Sequence, residues 1–461
     1  MVFGILSGVL LLAGCPSADE VPIPPSVTNP VVVSKGTDSA VLGGTVSDTG
    51  GANIVERGIY WSTASDFAST AQGATISQTG NWATGGAFTV SAMILPTDTT
   101  IYFKAYAVNS AGTAFSNVAT FTLGTDTTPL SVTTVEESIT TNTTWLTDHV
   151  YYINKAISIE DGASLTLPAG CIVKFGTSGS LRVYSGGTVE ANGTADKPVV
   201  FTSIRDNSAL AGGDTFPNDA GNPAAGDWNY IWVYSGSNSN KFVHCIFRYA
   251  GKDLESTLYL DGQALVDHCT FHDNASGTIS SGYVVLDARN TVTGTNGTTI
   301  TNNLFYNNTW PLAIPVNMSL DNSNRFTFDH DNNSATPALG NTYQAIWAEG
   351  STIEGTINWA ETEVPLCLTG RVYVDPIGTL TVENNVAVKF ASTSAGIFVE
   401  DGGTFNDNGG FFTSWKDDAV KGDSNANGSA NSPAAGDWEG IYFYSTSQYI
   451  SDARITYAEN P

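Results

Sequence analysis

The chain has 461 residues with 18 Lys or Arg and 44 Asp or Glu, which gives a formal net charge of −26. This charge excludes a sequence-independent nucleic-acid binder, which needs a basic face to displace counterions from phosphates, and an electrostatic grip on anionic lipid. Because 41% of the residues are hydrophobic, general disorder is excluded as well. The 47 Gly and the many Thr, Ser and Asn favour strands and turns over amphipathic helices.

An apolar run covers residues 2–14 and is followed by Cys15. The run is too short to span a bilayer as a mature helix, but it has the length of a signal-peptide core. Leu-Ala-Gly-Cys at residues 12–15 resembles the lipobox of bacterial lipoproteins, which implies that Cys15 becomes the lipidated first residue. The resemblance also implies export, a membrane contact through the lipid anchor, and a place at the cell envelope or outer-membrane surface. An ordinary secretory signal with an incidental cysteine is the alternative, and residues 16–28 are predicted to be an extended tether.

Residues 29–124 form short alternating apolar and polar segments separated by Gly, Asp and Thr turns, which predicts a β-sandwich. The segments Gly50–Ser62 and Leu95–Gly112 resemble fibronectin type III-like modules of bacterial surface proteins. The resemblance places Tyr102 at a buried tyrosine corner and implies a spacer or a binding surface without catalysis. Trp82 lies in a Gly- and Asn-rich loop and is the better candidate here for an exposed aromatic ring.

Residues 125–140 are predicted to be a linker, and residues 141–461 contain an internal repeat. The segment Trp145–Ala250 returns as Trp359–Ala458, and in each copy short strands with one apolar face alternate with Gly, Asn or Asp corners. Units of this kind bury their apolar faces by stacking. The matched segments are Ala163–Phe175 with Gly378–Phe390, Phe201–Ser203 with Phe412–Ser414, and Pro223–Trp228 with Pro433–Trp438.

This repeat, with its recurring Val-Lys-Phe, Phe-Thr-Ser and Gly-Asp-Trp segments, resembles the right-handed parallel β-helix of pectate-lyase-like proteins. The resemblance covers about two thirds of the chain. It implies an all-β protein in which a fibronectin-like sandwich precedes a solenoid made of two homologous copies. Because the last strand at residue 458 lacks a visible cap, the natural protein is expected to continue beyond residue 461.

Two cysteines lie 24 residues apart in similar contexts, Val-His-Cys245-Ile-Phe and Asp-His-Cys269-Thr-Phe. In the β-helix they occupy successive coils, so that Cys245 stacks on Cys269 and Phe247 on Phe271. Three states remain open, namely two buried thiols, a disulfide, or a metal site that includes the preceding histidines. The Asn-rich stretch 273–345 is expected to form structural side-chain stacks along the axis.

Asp423-Ser-Asn-Ala-Asn-Gly fits the first half of an EF-hand-like calcium loop, in which oxygens at positions 1, 3 and 5 converge on a hard cation. The twelfth position is Ala434 rather than Glu, so a structural Ca²⁺ would need carboxylates from nearby. The alternative is a set of ordinary Asx turns. The candidate calcium ligands are Asp423, Asn425, Asn427, Asp417 and Asp437 in the second copy, and Asp206, Asp214, Asp219 and Asp227 in the first.

No catalytic constellation is evident in the sequence. The Asn-Thr-Asp, Asp-Asp and Gly-His-Gly segments of polygalacturonase-like β-helices do not occur in that arrangement, and Arg205-Asp206 and Lys416-Asp417 recur in both copies, which favours a scaffold role. The acidic surface would also repel uronate polymers. The leading hypothesis is therefore a non-catalytic cell-surface lipoprotein that binds a polysaccharide or matrix ligand in adhesion. A divergent polysaccharide lyase or glycoside hydrolase and a purely structural stalk are the alternatives.

Overall fold

The computed structural model describes residues 21–35, 40–67, 73–92, 95, 99–123, 130–217, 219, 221–277, 282–294, 297–328, 338–428 and 430–460. Cys15 and the acidic segment 329–333 lie outside these residues. Two compact units follow one another along the chain and meet in sequence at Thr122 and Leu123. Among the described residues, no helix is long and apolar enough to cross a membrane.

The first unit consists of two antiparallel sheets, with strand orders β1-β2-β5 and β4-β3-β6-β7, and β8 pairs with the first residues of β6 along the edge that faces away from β3. Its core lies between the sheets, where Leu42 of β2, Ile59 of β3 and Phe103 of β6 are fully buried. The unit is therefore a β-sandwich, as predicted. The strands are β1 Ser26–Lys35, β2 Ala40–Asp48, β3 Ile54–Ser62, β4 Gly73–Trp82, β5 Gly86–Ala92, β6 Thr100–Asn109, β7 Gly112–Phe115 and β8 Ala119–Thr122.

The predicted tyrosine corner is wrong for Tyr102. Ile101 and Phe103 are both fully buried, so strand alternation turns Tyr102 between them to the outer face, where it is only half-buried. Trp82 is also half-buried rather than freely exposed, because the guanidinium of Arg57 lies 4.2 Å from its ring centroid. Neither ring therefore offers an open platform in this unit.

The second unit contains thirty-one strands among the described residues, most of them three to five residues long, and two single 3₁₀ turns at Ala209–Ala211 and Lys252–Leu254. Those of the first copy and the segment after it are β9 Val132–Thr134, β10 Thr143–Thr144, β11 His149–Ile153, β12 Ala156–Ile159, β13 Ser164–Pro168, β14 Cys171–Phe175, β15 Ser180–Val183, β16 Thr188–Asn192, β17 Val199–Ser203, β18 Ile231–Val233, β19 Asn240–Val243, β20 Cys245–Arg248, β21 Leu258–Leu260, β22 Ala264–Asp267, β23 Thr270–His272, β24 Leu286–Asp287, β25 Thr299–Thr301, β26 Leu304–Tyr306 and β27 Leu312–Pro315. The remainder are β28 Ile346–Glu349, β29 Thr352–Ile353, β30 Thr356–Trp359, β31 Leu366–Leu368, β32 Arg371–Val374, β33 Thr379–Val382, β34 Ala387–Phe390, β35 Gly396–Val399, β36 Thr404–Asp407, β37 Phe411–Ser414, β38 Gly440–Phe443 and β39 Gln448–Tyr449.

These strands stack into parallel sheets, as in a right-handed parallel β-helix. Within most coils, successive strands go to different sheets and every third strand returns to the same one; the exceptions are β9 with β11, β27 with β28, and β38 with β39, which pair directly. Sheet C has the order β9-β11-β14-β17-β20-β23-β26, sheet D runs from β12-β15-β18-β21-β24-β27 to β28-β31-β34-β37, and sheet E is β10-β13-β16-β19-β22-β25. The second copy adds sheet I, β29-β32-β35-β38-β39, and sheet G, β30-β33-β36. Among the strands of this unit that the structure describes, β38 and β39 alone pair antiparallel, and an isolated antiparallel bridge joins Phe328 to Leu339.

The solenoid begins earlier than predicted. Strand β9 pairs in parallel with β11 through Val132 and Val150, and Ile139 bridges Ile159 of β12. The segment 130–140 is therefore the first coil rather than a linker, because its apolar residues cover the open end of the core. The sandwich likewise begins at Ser26, within the predicted tether.

The core contains the side-chain columns that were predicted from the repeat. Phe201, Phe247, Phe271 and Phe305 stack with centroid separations of 4.9, 4.6 and 4.9 Å. Cys245 lies on Cys269, with its backbone nitrogen 3.4 Å from the Cys269 sulfur. Both are free thiols and both are buried, which agrees with the first of the three states considered. His244 and His268 have positive φ values of 47° and 53° at the corner before each cysteine and point away from the core, so the metal site with the cysteines is wrong.

Two asparagine columns continue these corners, which confirms the expected side-chain stacks. Asn274 donates from Nδ2 to Oδ1 of Asn308 at 3.1 Å, and Asn308 donates in the same way to Asn341 at 2.9 Å. The second column joins Asn303 to Asn324 at 3.0 Å, and the Oδ1 of Asn303 accepts from the backbone nitrogen of Cys269 at 2.9 Å. The amides thereby satisfy buried backbone groups at the turns, where strand pairing stops.

The two copies do not stack sheet on sheet. The matching strands β14 and β34 lie in different sheets, because β14 pairs within sheet C while β34 continues sheet D. Likewise β15 lies in sheet D and its counterpart β35 in sheet I. The second copy is therefore rotated by one side of the coil about the solenoid axis. At the junction, where sheet E ends and sheet I begins, a groove of about 980 Å³ is lined by Thr298, Met318, Ser351, Glu354 and Ile357, among others.

Candidate functional site

Each copy places a long loop over the outer face of its Val-Lys-Phe strand. We call residues 204–227 the first cover loop and residues 415–437 the second. Strand β14 is buried on both faces, whereas β13, which no loop covers, alternates between buried and half-buried residues. The outward residue of each covered strand is the lysine, Lys174 or Lys389, and both side chains are fully buried. Burial lowers the pKa of each of these lysines to about 8.

The buried lysines attach the cover loops to the sheet. Lys389 Nζ donates to the carbonyl oxygens of Asp417 and Gly422, at 2.9 and 3.0 Å, and to the hydroxyl of Ser424 at 2.6 Å. Lys174 Nζ donates to the carbonyl oxygen of Gly213 at 3.0 Å and to the hydroxyl of Thr215 at 2.7 Å. An ammonium group has three donors, so Lys389 uses all of them inside the protein.

The Gly-Asp-Trp segment closes each cover loop in the same way. Asp437 Oδ2 accepts from the Ser414 hydroxyl at 2.6 Å and from the Ala434 nitrogen at 3.0 Å, and Oδ1 accepts from Lys416 Nζ at 2.7 Å. The tryptophan that follows, Trp438, is fully buried. In the first copy, Asp227 is bound by Ser203, Ala224 and Arg205 in the corresponding geometry, and Trp228 is equally buried.

Protein donors therefore already bind most of the carboxylates that were predicted as calcium ligands. Asp206 forms an ion pair with Arg248 at 2.7 Å and accepts from Thr202, Asp417 accepts from Thr413 at 2.7 Å, and Asp219 pairs with Arg205 at 3.3 Å. Asp214 is exposed near Lys174. Within the described parts of the chain, no group of three or more Asp, Glu, His or Cys side chains is arranged to hold a metal ion.

The Asp423 loop forms a network of turns. Asp423 accepts from the backbone nitrogens of Asn427 at 3.1 Å and Gly428 at 2.8 Å, and Asn425 donates to the Trp415 carbonyl oxygen at 2.9 Å. One side-chain oxygen of the loop, Asn427 Oδ1, is shielded from solvent and has no hydrogen-bond partner. Calcium binding at this loop stays a prediction.

A second polar group lies on the outer face of sheet C and has no full counterpart in the second copy. Arg248 and His272 are partners in register on β20 and β23, and His272 Nδ1 lies 2.6 Å from Asp273 Oδ2. Burial lowers the pKa of His272, and the positive charge of Arg248 acts in the same direction. Thr456 occupies the place of Arg248 in the repeat. Sequence reasoning missed this group because its members are spread over two successive coils.

The most extensive outward-facing feature is a cluster of aromatic rings on sheet D of the first copy. Arg182, Trp232 and Tyr259 are consecutive partners in register on β15, β18 and β21, so their side chains form one outward row. Tyr184, Tyr230 and Tyr234 flank this row. We call these six residues the first platform.

The rings of the first platform contact one another, and Tyr259 among them is buried, with its hydroxyl bound to the Glu255 carboxylate and the Ser256 nitrogen. Trp232 stacks on Tyr234 at 4.4 Å and contacts Tyr259 at 5.1 Å between centroids. Arg182 donates to the Tyr230 hydroxyl at 2.7 Å. Trp232 Nε1 donates to Asp261 Oδ2 at 2.8 Å. Trp232, Tyr230 and Tyr234 are half-buried, so part of each ring faces solvent. The alternation Tyr-Ile-Trp-Val-Tyr at residues 230–234 is the sequence signal that could have identified this surface.

Comparison with known proteins addresses the fold of the second unit. Residues 137–214 match the protein-family model described as a pectate-lyase-like β-helix domain. Among solved structures, a family 28 exopolygalacturonase from Yersinia enterocolitica is 11% identical, with 85% of this chain and 98% of that chain covered and a TM-score of 0.18. Domains A168–A170 of titin are 21% identical over 23% of this chain, with a TM-score of 0.17, and the chain spans about a third (32%) of that structure.

No curated protein matches the chain. The family match begins between β9 and β10, a few residues before the first copy of the repeat, and ends within the first cover loop. It agrees with the stacked parallel sheets observed from β9 onward. The second unit is therefore a right-handed parallel β-helix, and its residues 137–214 are similar to the pectate-lyase-like β-helix domain.

Proposed function

We propose that this protein is a non-catalytic polysaccharide-binding protein of the bacterial cell surface, and that the first platform is its binding face. The observation that carries the proposal is the outward row of Arg182, Trp232 and Tyr259 with the tyrosines beside it. The C–H faces of a pyranose ring carry partial positive charge and pack on aromatic faces, which carry partial negative charge. Half-buried rings on neighbouring coils, such as Tyr184 and Tyr234 with centroids 5.1 Å apart, offer successive contacts to a chain of sugars.

Polar groups beside the rings suit the hydroxyls of a sugar. Asp261 Oδ1 accepts no hydrogen bond from a described residue, while its other oxygen holds Trp232. The guanidinium of Arg182 lies among the tyrosines. This mixture of one cation and nearby carboxylates on a chain of net charge −26 favours a neutral polysaccharide over a uronate polymer.

The location is proposed from the sequence. A lipid on Cys15 would anchor the chain to the outer membrane or cell envelope, and the first unit, with its fibronectin type III-like segments, would serve as a spacer. Adhesion through the bound polysaccharide follows from this arrangement. A purely structural stalk is the alternative that would need no ligand.

The test is binding of the purified protein to neutral hexasaccharides of β-1,4-glucan, β-1,4-xylan, β-1,4-mannan and β-1,3-glucan, measured by titration calorimetry. Replacing Trp232 by Ala should weaken binding of the preferred sugar at the first platform about tenfold or more. Phe115→Ala removes an exposed ring from the first unit and is the matched control, which should bind like the wild type. No binding to any of these sugars, or equal binding by the Trp232→Ala variant, would contradict the proposal.

Polysaccharide cleavage is a second candidate function, favoured by the His272–Asp273 pair beside Arg248. A histidine with a lowered pKa is neutral at pH 7 and can accept a proton, and a carboxylate on Nδ1 fixes its tautomer. Release of reducing ends or 4,5-unsaturated products from pectin, alginate or chondroitin, lost in His272→Ala, would establish this function. It would replace the non-catalytic assignment.

A further inference from the structure

The second copy carries an aromatic surface that overlaps the first platform in the repeat, because Phe398, Tyr442 and Tyr444 match Arg182, Trp232 and Tyr234. Tyr373, Phe398 and Tyr442 are consecutive partners in register on β32, β35 and β38, the counterparts of β12, β15 and β18. Tyr444 and Tyr449 flank Tyr442. We call these five residues together with Arg371 the second platform.

The second platform has the same construction as the first. Tyr442 contacts Phe398, Tyr444 and Tyr449 at centroid separations of 6.2, 5.0 and 4.9 Å. The guanidinium of Arg371 lies 5.1 Å from the Phe398 ring centroid and is held by a bidentate pair with Glu439. Tyr444 is 44% exposed and Tyr373, Tyr442 and Tyr449 are half-buried, whereas Phe398 is buried beneath Arg371. No cover loop of the described chain lies on these rings.

The two platforms face different sides of the solenoid. The first lies on sheet D, and the second lies on sheet I, which follows sheet D in the order in which each coil winds. Sheet E holds that position in the first copy, so the second platform faces the side on which sheet E lies. A rigid polysaccharide chain bound along one platform therefore does not extend onto the other.

From this geometry we infer that the β-helix is bivalent, with two independent sites that hold two separate chains of a neutral polysaccharide. The inference rests on the proposed function, because it assigns the same ligand chemistry to the second platform. A bivalent protein bridges polysaccharide strands and gains avidity on a surface where both platforms engage. The internal repeat supplies the second site, and the rotation between the copies directs that site toward a different polysaccharide chain.

The experiment compares Trp232→Ala, which alters the first platform, with Tyr442→Ala, which alters the second, and with the Phe115→Ala control. Titration with the hexasaccharide that the wild type prefers should give two sites per chain for the wild type and the control, and one for each platform variant. Light scattering with the corresponding soluble polysaccharide should show large cross-linked particles for the wild type and the control only.

Each failure has a distinct signature. If Trp232→Ala abolishes binding while Tyr442→Ala keeps the wild-type stoichiometry and cross-linking, the bivalent arrangement is overturned and the proposed function stands. If both variants bind and cross-link like the wild type, or if no hexasaccharide binds, both are overturned. Circular dichroism and urea unfolding of each variant show whether the fold is intact. If Tyr442→Ala unfolds, Tyr444→Ala, which removes the most exposed ring, takes its place with the same expected stoichiometry.

Discussion

Trp438 lies flat on Phe390, with ring centroids 3.9 Å apart and planes inclined by only 1°, and its indole nitrogen donates to the Thr456 carbonyl oxygen at 2.8 Å. In the first copy, Trp228 lies on Phe175 in the same way at 4.2 Å. The ring of the Gly-Asp-Trp segment thus packs on the ring of the Val-Lys-Phe strand. The Gly-Asp-Trp and Val-Lys-Phe segments are among the strongest sequence matches between the copies, and in each copy they pack against each other.

Replacing Trp438 by Ala should lower the free energy of unfolding by about 3–5 kcal/mol, since it leaves a large cavity on Phe390 and an unpaired carbonyl oxygen. Urea unfolding followed by circular dichroism measures the loss. Tyr444→Ala, which removes a 44% exposed ring from the same copy, should cost about 0.5 kcal/mol or less. Equal losses for the two variants would refute the packing role of Trp438.

Replacing Lys389 by Met should release the second cover loop. The carbonyl oxygens of Asp417 and Gly422 lose their donor, and we expect a loss of about 2–4 kcal/mol and faster limited proteolysis within residues 415–437. Lys416→Met is the control in the same loop. Its side chain is 43% exposed and forms one ion pair with Asp437, so the expected cost is about 1 kcal/mol or less. Unchanged proteolysis in the Lys389 variant would contradict the anchoring role.

Glu361 should make the protein less stable as the pH rises. Burial is the main cause that raises the pKa of Glu361 to about 7, and the neighbouring Glu363 carboxylate acts in the same direction. The positive charge of Arg325 acts in the opposite direction. Its Oε2 is shielded from solvent and has no hydrogen-bond partner. The unfolded carboxyl loses its proton near pH 4.5, so between about pH 4.5 and 7 the folded state binds more protons than the unfolded state, and stability falls across that window.

Glu361→Gln tests this because a neutral amide has no such titration. The variant should be less sensitive to pH than the wild type from pH 4 to 8, with a relative gain approaching about 3 kcal/mol at pH 8. Its Oε1 can still accept from the Glu363 nitrogen, as the carboxylate does at 2.6 Å. Urea unfolding at pH 4, 6 and 8 supplies the comparison, and parallel pH profiles for the two proteins would exclude a buried, protonated Glu361.

Calcium binding at the Asp423 loop predicts stabilisation by the cation. Calcium at about a hundred times its Kd should add about 3 kcal/mol, EDTA should reverse the gain, and Asp423→Ala should abolish both effects. Asp401→Ala, at an exposed corner of the same copy, should keep them. A melting temperature that neither calcium nor EDTA changes would leave the turn network around Asn427 as the full account of the motif.

Alternation of side chains determined much of this fold from the sequence. In β13, Leu165 and Leu167 alternate with half-buried neighbours and point into the core of the solenoid, while the outer face of the strand is open. The spacing of 24 residues between Cys245 and Cys269 predicted one coil, and Phe247 and Phe271 do lie in register. These relations depend on period-two geometry and on a nearly constant coil length, both of which are local properties of the chain.

The chemical roles of the polar side chains were decided by tertiary contacts and not by local sequence patterns. Asp417 and Asp437 have the composition of a cation site in the sequence, but protein donors reach their oxygens from β37 and from their own loop. Lys174 and Lys389 occur in strands that look like ordinary half-buried strands, and only the cover loops bury them. Tyr102 was assigned to the core by a motif, whereas one step of strand alternation turns it outward.

The sequence by itself determined the strands, the repeat and the solenoid, because each follows from patterns within one coil or from direct comparison of two segments. Only the tertiary structure decided which sheet each copy joins. Strands β27 and β28 follow one another in the chain and are neighbours in sheet D, and from there the second copy continues with β34 on sheet D and β35 on sheet I. The directions of the two aromatic platforms follow from this non-local geometry, which no pattern within either copy encodes.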